Sequence, residues 1–169
     1  MRLTPIALSV AIALATMASS GQSQRPDDQI DARSVEMARK GEALNGQARF
    51  NEATDLFETA LAVDPRNRQA YIGLARAAQG QKLPGKAIRF YFEALKLEPN
   101  DVVALAGQGE AMVQRGAVAR AQKNLDKIRT LCRNNCPQVA TLAAAIAKGP
   151  PPEALTARTP ATPPPANNN

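Results

Sequence analysis

The sequence predicts an all-helical repeat protein, in one domain between two flanking segments. Three observations support this prediction. The first is composition: the chain has 169 residues, 44% hydrophobic but only 4% aromatic, with no Trp. Its apolar content is therefore mainly Ala, Leu, Val and Ile, which favours close-packed helices. The second is that apolar residues recur at helical spacing over residues 137–148. The third is that part of the middle of the chain repeats at a fixed interval.

The beginning of the chain has the layout of a secretory signal. Arg2 provides a short basic start, an apolar run covers residues 5–17, and small residues follow at 18–20. This run is too short to span a bilayer. We therefore expect residues 1–20 to be a signal peptide and 21–30 to be a flexible segment, with the mature protein periplasmic or secreted. The alternative is that the run forms a buried helix of the domain.

The internal repeat is clearest in two segments of similar sequence. Phe57-Glu-Thr-Ala-Leu-Ala-Val-Asp-Pro65 recurs as Tyr91-Phe-Glu-Ala-Leu-Lys-Leu-Glu-Pro99. The aromatic residue, the small residue and the proline each recur 34 residues later, as Pro65 and Pro99 show. A period of about 34 residues with these residues in this order resembles the tetratricopeptide repeat (TPR), in which each copy is a pair of antiparallel helices.

The resemblance implies a TPR-type solenoid over residues 31–148. Two good copies cover 34–67 and 68–101, and a third covers 102–133 but departs from the pattern at Ile128 and Arg133. A further helix over 137–148 has apolar residues at helical spacing, and we expect it to cap the open end of the stack.

Neither helix of such a pair can bury its apolar stripe alone, so successive pairs must stack. Small residues let the helices of a pair approach closely, and bulky residues fill the space between pairs. The residues expected at these two kinds of contact are the small residues Gly41, Ala75 and Gly109 and the bulky residues Phe57, Tyr91 and Leu125. We expect Pro65 and Pro99 to stop the second helix of a pair, and Asn100 or Asp101 to cap the next helix.

Cys132 and Cys136 lie between the third copy and the capping helix. In an oxidising compartment they would close a small loop, with a stabilisation of about 2 kcal/mol. The alternatives are a redox-active pair or half of a metal site. Redox pairs usually have two intervening residues, and the chain has no further Cys and no His to complete a metal site.

The segment 149–169 is rich in proline and ends in three Asn. Such a segment cannot bury enough surface to fold, so we expect it to be disordered. It would serve as a linker, as a ligand for a proline-binding groove, or as a solvated tail.

The absence of His excludes His-dependent triads, HExxH zinc sites and CxxCH haem attachment. No nucleotide-binding or nucleophile motif stands out, and Gly80–Gly85 is interpreted as the turn between two helices. The formal charge of +6 is spread along the chain and not concentrated in a nucleic-acid-binding block. We therefore expect no catalytic residue, metal site, cofactor or nucleic-acid partner.

The resemblance also implies that one face of each first helix lines a concave groove. The residues on this face are Val35, Ala38, Glu42 and Asn45, then Gln69, Ile72, Arg76 and Gln79, then Val103, Ala106, Glu110 and Val113. Glu42, Arg76 and Glu110 follow one another at steps of one repeat period, with alternating charge. They would form either a ladder of exposed ion pairs, each worth ~0–1 kcal/mol, or a site in which Arg76 anchors a partner's carboxylate or backbone.

The sequence thus predicts a periplasmic scaffold or adaptor that binds a protein or peptide of the cell envelope in this groove. It predicts no enzymatic activity and no stable membrane span after signal cleavage. The groove lacks the Lys and Asn set of chaperone-binding TPR domains, so that ligand class is not transferred. The alternative function is a thiol-disulfide or redox-sensing envelope protein that uses Cys132 and Cys136.

Overall fold

The computed structural model describes residues 29–132 and 136–156. The predicted signal peptide and most of the segments predicted to be flexible or disordered lie outside these ranges. Every regular element within them is a helix. The helices are α1 Ala32–Gly46, α2 Phe50–Val63, α3 Arg68–Gly80, α4 Pro84–Leu97, α5 Val102–Gln114, α6 Val118–Leu131, α7 Pro137–Lys148 and the short α8 Pro152–Thr156. None of these helices has the length and apolar character that a bilayer span requires.

The helices pack as three successive pairs, α1 with α2, α3 with α4 and α5 with α6, and each second helix also packs against the following pair. Helix α7 lies against both α5 and α6 and covers the end of the stack. Leu142 of α7 is fully buried there, in the same apolar cluster as Leu125 and Ile128. The predicted fold class, an all-α solenoid of three helix pairs with a capping helix, is confirmed.

Proline sets the end of the second helix in the first two pairs. Helices α2 and α4 end just before Asp64 and Glu98, whose ψ angles of 103° and 94° are extended. Each of these residues precedes a proline, which disfavours helical backbone at the position before it. Asp101 then caps α5, accepting hydrogen bonds from the amides of Val103 and Ala104 at 2.8 and 2.9 Å. Of the two predicted caps, the structure selects Asp101.

Buried polar contacts tie the first helix of the first pair to the end of that pair. The Asp64 carboxylate accepts hydrogen bonds from the Arg66 guanidinium and from the Asp31 amide, which lies at 2.9 Å. Chiefly because of the Arg66 side chain, the pKa of Asp64 falls to about 2. Beside it, Asn67 donates to Ser34 Oγ at 2.8 Å, and Ser34 donates to the backbone of α2 at 2.7 Å.

The same connection recurs in the second pair with different chemistry. Arg68 and Asp101 occupy the positions one repeat period after Ser34 and Asn67, and they form an ion pair. A hydroxyl–amide contact in one repeat is thus replaced by a charged contact in the next.

The turn inside each pair contains one residue with left-handed backbone. These residues recur at the repeat period and are Ala48 with φ 57°, Lys82 with φ 59° and Gly116 with φ 74°. Glycine adopts this conformation without strain, whereas an L side chain raises its free energy by roughly 1–2 kcal/mol. Lys82 is therefore a charged residue at a position suited to glycine.

Aromatic rings join the successive pairs by packing directly on glycine. A Cβ atom built on Gly73 would lie 2.2 Å from the Phe57 ring, and one on Gly107 would lie 2.3 Å from the Tyr91 ring. Both rings are almost completely buried, as the sequence predicted. Gly73 and Gly107 were not among the contacts predicted from the sequence, although they lie one repeat period apart.

Gly41 and Gly109, both expected to allow the helices of a pair to approach closely, contact different parts of the structure. Gly41 faces the Phe57 ring of its own pair, as expected, with a Cβ position 2.9 Å from the ring. At Gly109 a Cβ would instead meet Leu142 at 2.7 Å, so this glycine makes room for α7.

Part of the segment predicted to be disordered is ordered. Helix α8 follows Gly149, whose φ of 76° ends α7 by a left-handed turn. Pro152 is a favourable first residue for a helix because its φ is already fixed near the helical value. The prediction that disorder begins at residue 149 is therefore wrong for 152–156.

Cys132 and Cys136 are joined as a disulfide, with their Cα atoms 5.8 Å apart. Cys132 packs at the edge of the apolar cluster that holds Leu142. The cysteine pair thus lies where α6 gives way to α7.

We expect Gly73→Ala to lower the free energy of unfolding by about 1–3 kcal/mol, because the added methyl group would overlap the Phe57 ring. Urea unfolding followed by circular dichroism measures this change. Gly46→Ala is the matched control: nothing lies within 4 Å of its Cβ position, so the same substitution should be neutral or stabilising by up to about 1 kcal/mol. Equal unfolding midpoints for the two variants would contradict the role given to the glycine contact.

We expect reduction of the disulfide, or the double substitution Cys132→Ser and Cys136→Ser, to lower the free energy of unfolding by about 2 kcal/mol. Thiol titration with and without reductant tests the alternative redox role in the same samples. A structural bond resists mild reductants while the protein is folded. Ready reduction without loss of stability would favour the redox role.

Candidate functional site

The first helices of the pairs, α1, α3 and α5, together with α7, form one face of the stack, here called the inner groove. Between α3, α5 and the start of α7 this face contains a concavity of about 250 Å³. The polar residues that line it are Arg76, Gln79, Tyr91, Glu110, Gln138 and Thr141. This concavity is the candidate site.

Arg76 is already engaged inside the groove. Its guanidinium forms an ion pair with Glu42, one repeat earlier. The two side chains are 43% and 50% exposed, so the pair contributes at most about 1 kcal/mol. The predicted ladder allowed Arg76 to pair with Glu42 or with Glu110, and the pair with Glu42 forms.

Glu110 occupies the other end of the predicted ladder and is not paired. It is half-buried, and no donor or cation of the described residues lies within contact distance of its carboxylate. Burial raises the pKa of Glu110, and the charge of nearby Arg76 only partly offsets this effect. The groove therefore holds a carboxylate whose negative charge is incompletely compensated.

Tyr91 forms part of the floor of the concavity. Its hydroxyl donates a hydrogen bond to Gln79 Oε1 at 2.8 Å. Burial raises the pKa of Tyr91 to about 12, although the positive charge of Arg76 acts in the opposite direction. The hydroxyl therefore stays protonated at physiological pH and fixes the orientation of the Gln79 amide.

Asn45 lies further along the groove, between α1 and α3. Its Nδ2 donates to the backbone oxygen of Gly73 at 3.0 Å, so the side chain bridges two repeats. Its Oδ1 is buried and has no hydrogen-bond partner among the described residues. A buried acceptor without a donor carries an energetic penalty.

The structure does not expose all residues predicted to line the groove. The prediction that Ile72 and Val113 offer surface to a partner is wrong: they are only 1% and 4% exposed. Ile72 is in the same buried cluster as Tyr91, and Val113 packs in the cluster closed by Leu142 of α7. Ala38 and Ala106 are also buried, whereas Val35 and Gln69 are exposed.

Five lining residues were missed as groove residues: Tyr91, Gly107, Pro137, Gln138 and Thr141. Tyr91 was assigned to packing alone, and α7 to end-capping alone. Continuing the repeat register past the third copy would have found part of this set, because Pro137 and Thr141 correspond to Val103 and Gly107. All four residues line the concavity.

Glu110→Gln should stabilise the folded protein near neutral pH. Because the pKa of Glu110 is raised on folding, the native state holds this proton more tightly than the unfolded chain does. The favourable contribution is present at low pH and is lost as pH rises through the folded pKa. We expect a gain of roughly 0.5 kcal/mol in the free energy of unfolding at about pH 7 and almost none at about pH 4.

Urea titrations at the two pH values measure this difference. Glu58→Gln makes the same change on the exposed face of α2, outside the groove, and should have no effect at either pH. A Glu110→Gln variant that is less stable than the unchanged protein at neutral pH would show that the carboxylate is satisfied.

No family model matches the chain. A curated relative, the probable UDP-N-acetylglucosamine–peptide N-acetylglucosaminyltransferase SPINDLY of Hordeum vulgare, is 30% identical over 92 residues. The match covers 54% of this chain and 10% of that protein, so this chain spans about a tenth of the relative's length.

Solved structures with similar folds include three peptide- or chaperone-associated domains. The TPR2B domain of yeast Sti1, from a pHsp70 complex, has a TM-score of 0.64 at 18% identity and covers 70% of this chain and 98% of its own. The first TPR of Spaghetti (RPAP3), bound to the HSP90 peptide SRMEEVD, has a TM-score of 0.62 at 21% identity, with coverages of 70% and 97%. The Yersinia enterocolitica chaperone SycD, with a peptide of the translocator YopD, has a TM-score of 0.61 at 17% identity, with coverages of 72% and 98%.

At these identities the similarity concerns the fold. Together with the helix pairs described above, it shows that the chain has the all-α, TPR-type helical-repeat fold.

Proposed function

We propose that the chain is a binding scaffold that holds a segment of another protein in its inner groove, without chemistry of its own. The observation that carries this proposal is Glu110, a half-buried carboxylate in a concavity, with no donor among the described residues. Leaving such a group without a partner is unfavourable, and a ligand that supplies the partner regains that free energy. A Lys or Arg side chain of a bound segment has the required charge.

A second groove residue suits the backbone of an extended segment. Gln79, held by the Tyr91 hydroxyl, keeps its own amide nitrogen available for a carbonyl. The groove thus combines one charged position with a neutral hydrogen-bonding position, which is a pattern that selects a side chain and tolerates its neighbours.

Peptide complexes of similar folds support the class of ligand. By their names, the RPAP3 domain is bound to an HSP90 peptide and SycD to a peptide of the translocator YopD. The ligand proposed here differs in charge from the acidic HSP90 peptide. Its main contact is with a carboxylate of the groove, while Arg76 is neutralised in part by Glu42.

We place this scaffold in the periplasm or outside the cell. The signal-like layout of residues 1–20 supports this location, as does a cysteine pair positioned to form a structural disulfide. Fractionation of cells that express the full chain tests the location. The transferase activity named for SPINDLY is not part of the proposal, because the chain spans only a tenth of that protein.

The redox role remains the second candidate, and one observation weighs against it. Cys132 is half-buried against the apolar cluster beneath α7. Catalytic and sensing thiols require access to their substrates. The thiol titration described above decides between the two.

We expect a capped peptide with a central Lys, Ala-Ala-Lys-Ala-Ala, to bind in the groove, whereas its Glu-centred counterpart does not. Nuclear magnetic resonance titration of the isotope-labelled protein measures both affinities and locates the shifted amides around residues 107–110 and 138–141. Glu110→Gln should weaken binding of the Lys peptide about fivefold or more, since a charged hydrogen-bonded pair is lost.

Glu58→Gln, the control outside the groove, should leave the affinity unchanged. The variant Glu110→Gln is also expected to be at least as stable as the original protein, so weaker binding would not reflect unfolding. Equal affinity for the Lys and Glu peptides, or shifts confined to other faces, would rule out this use of the groove.

A further inference from the structure

A second and larger concavity lies at the edge of the stack, where the two helices of each pair are joined. This edge cleft has a volume of about 1280 Å³. The α3–α4 turn, the α5–α6 turn, the first turns of α4 and α6, and Pro151 and Ala154 of the α8 region form its walls. It adjoins the concavity around Glu110, and Gln79 lines both.

Four basic side chains line the edge cleft: Lys82, Lys86, Arg115 and Arg120. Its described lining contains no Asp or Glu. All four cations are exposed, and none forms an ion pair with a residue of the described ranges. Like charges brought together without counter-charges repel each other and create a positive potential that attracts anions.

Two backbone positions at the cleft, Gly85 and Lys82, bear on how these cations are placed. A Cβ atom on Gly85 would lie 2.3 Å from Arg115 Nη1, so the absence of a side chain there leaves the space that the guanidinium fills. Lys82 holds its left-handed φ of 59° at the position where the third pair has Gly116. Ala48 has the same conformation at the equivalent turn of the first pair, so the backbone geometry belongs to the repeat, and what distinguishes the cleft is the charge of Lys82.

The two helices that begin at the cleft add to its positive character. Leu83 and Ala117 precede α4 and α6, line the cleft, and provide no side-chain cap. The first helix of each of the three pairs, in contrast, starts with a side-chain cap from Asp31, Asn67 or Asp101. Uncapped helix starts present positive partial charge. This contribution is secondary to that of the four side chains.

We propose that the edge cleft is a second binding site, which takes an acidic segment of a polypeptide partner. Charge complementarity sets the sign of the ligand. The size and lining of the cleft favour a peptide over a small anion, because apolar surface from Leu83, Pro84, Ala117 and Ala154 lies among the cations. Carboxylates spaced between apolar side chains would satisfy both kinds of surface.

The test uses a fluorescein-labelled peptide, Glu-Leu-Glu-Ala-Glu-Leu-Glu, and its Lys-for-Glu counterpart, with fluorescence anisotropy at low ionic strength and the full chain as the receptor. We expect the acidic peptide to bind and its affinity to fall as salt is added. The triple variant Lys82→Gln, Arg115→Gln, Arg120→Gln should weaken binding about tenfold or more. The double variant Arg89→Gln, Lys123→Gln, which removes exposed unpaired cations elsewhere, should change it less than twofold.

Lys82→Gly provides a check that does not depend on destabilisation. It removes a charge from the cleft while relieving the left-handed backbone, so its urea midpoint should rise while its affinity for the acidic peptide falls. Ala48→Gly makes the same backbone change at the equivalent turn outside the cleft. It should raise the midpoint and leave the affinity unchanged.

Several results would overturn the proposal. They are equal binding by the triple variant and the original protein, preference for the basic peptide, and binding of inorganic phosphate or phosphatidylglycerol vesicles at the cleft where the acidic peptide does not bind. Glu110→Gln should not affect the acidic peptide. Failure at the edge cleft is therefore distinguishable from failure at the inner groove.

Discussion

The packing of an aromatic ring on a glycine backbone determines how each helix pair sits on the next. Phe57 meets Gly73 and Tyr91 meets Gly107, at distances that leave no room for a Cβ atom. Because rings are rigid and glycine has no side chain, this contact fixes both the separation and the lateral position of successive pairs. The first helices are thereby held side by side, and the inner groove is the surface that they share.

One residue links this packing to the groove chemistry. The Tyr91 ring is part of the contact between the second and third pairs, while its hydroxyl reaches the floor of the concavity and holds Gln79. Gln79 in turn borders the edge cleft. The two proposed sites, one centred on an unpaired carboxylate and the other on unpaired cations, are therefore neighbours. Because the two sites have opposite charges, a partner that spans both of them would be held in one direction along the surface.

The fold could be predicted from the sequence because the repeat period constrains every copy at once, and even the weaker third copy forms its helix pair where expected. The groove was predicted less well. The exposure of Ile72 and Val113 depends on which neighbours cover them, and α7 was not recognised as contributing to this face. The ion pair between Arg76 and Glu42, in preference to Glu110, depends on side-chain directions that spacing does not specify. The edge cleft brings two turns and residues 151–154 together, and no sequence pattern links these segments.

The ring–glycine contact also bears on how such a chain can change over evolutionary time. Its two members lie on opposite sides of a repeat boundary, so a duplicate of the second repeat, residues 68–101, carries Gly73 for the preceding unit and Tyr91 for the following one. Further copies can be inserted without new compensating substitutions. At the end of the stack the same spacing links Leu125 with Thr141, where both members depart from the ring–glycine pattern together. In the first repeat Arg39 occupies the position of Gly73, and at the last boundary a ring would meet Thr141. Duplication without compensating substitutions is therefore expected to be confined to the second repeat.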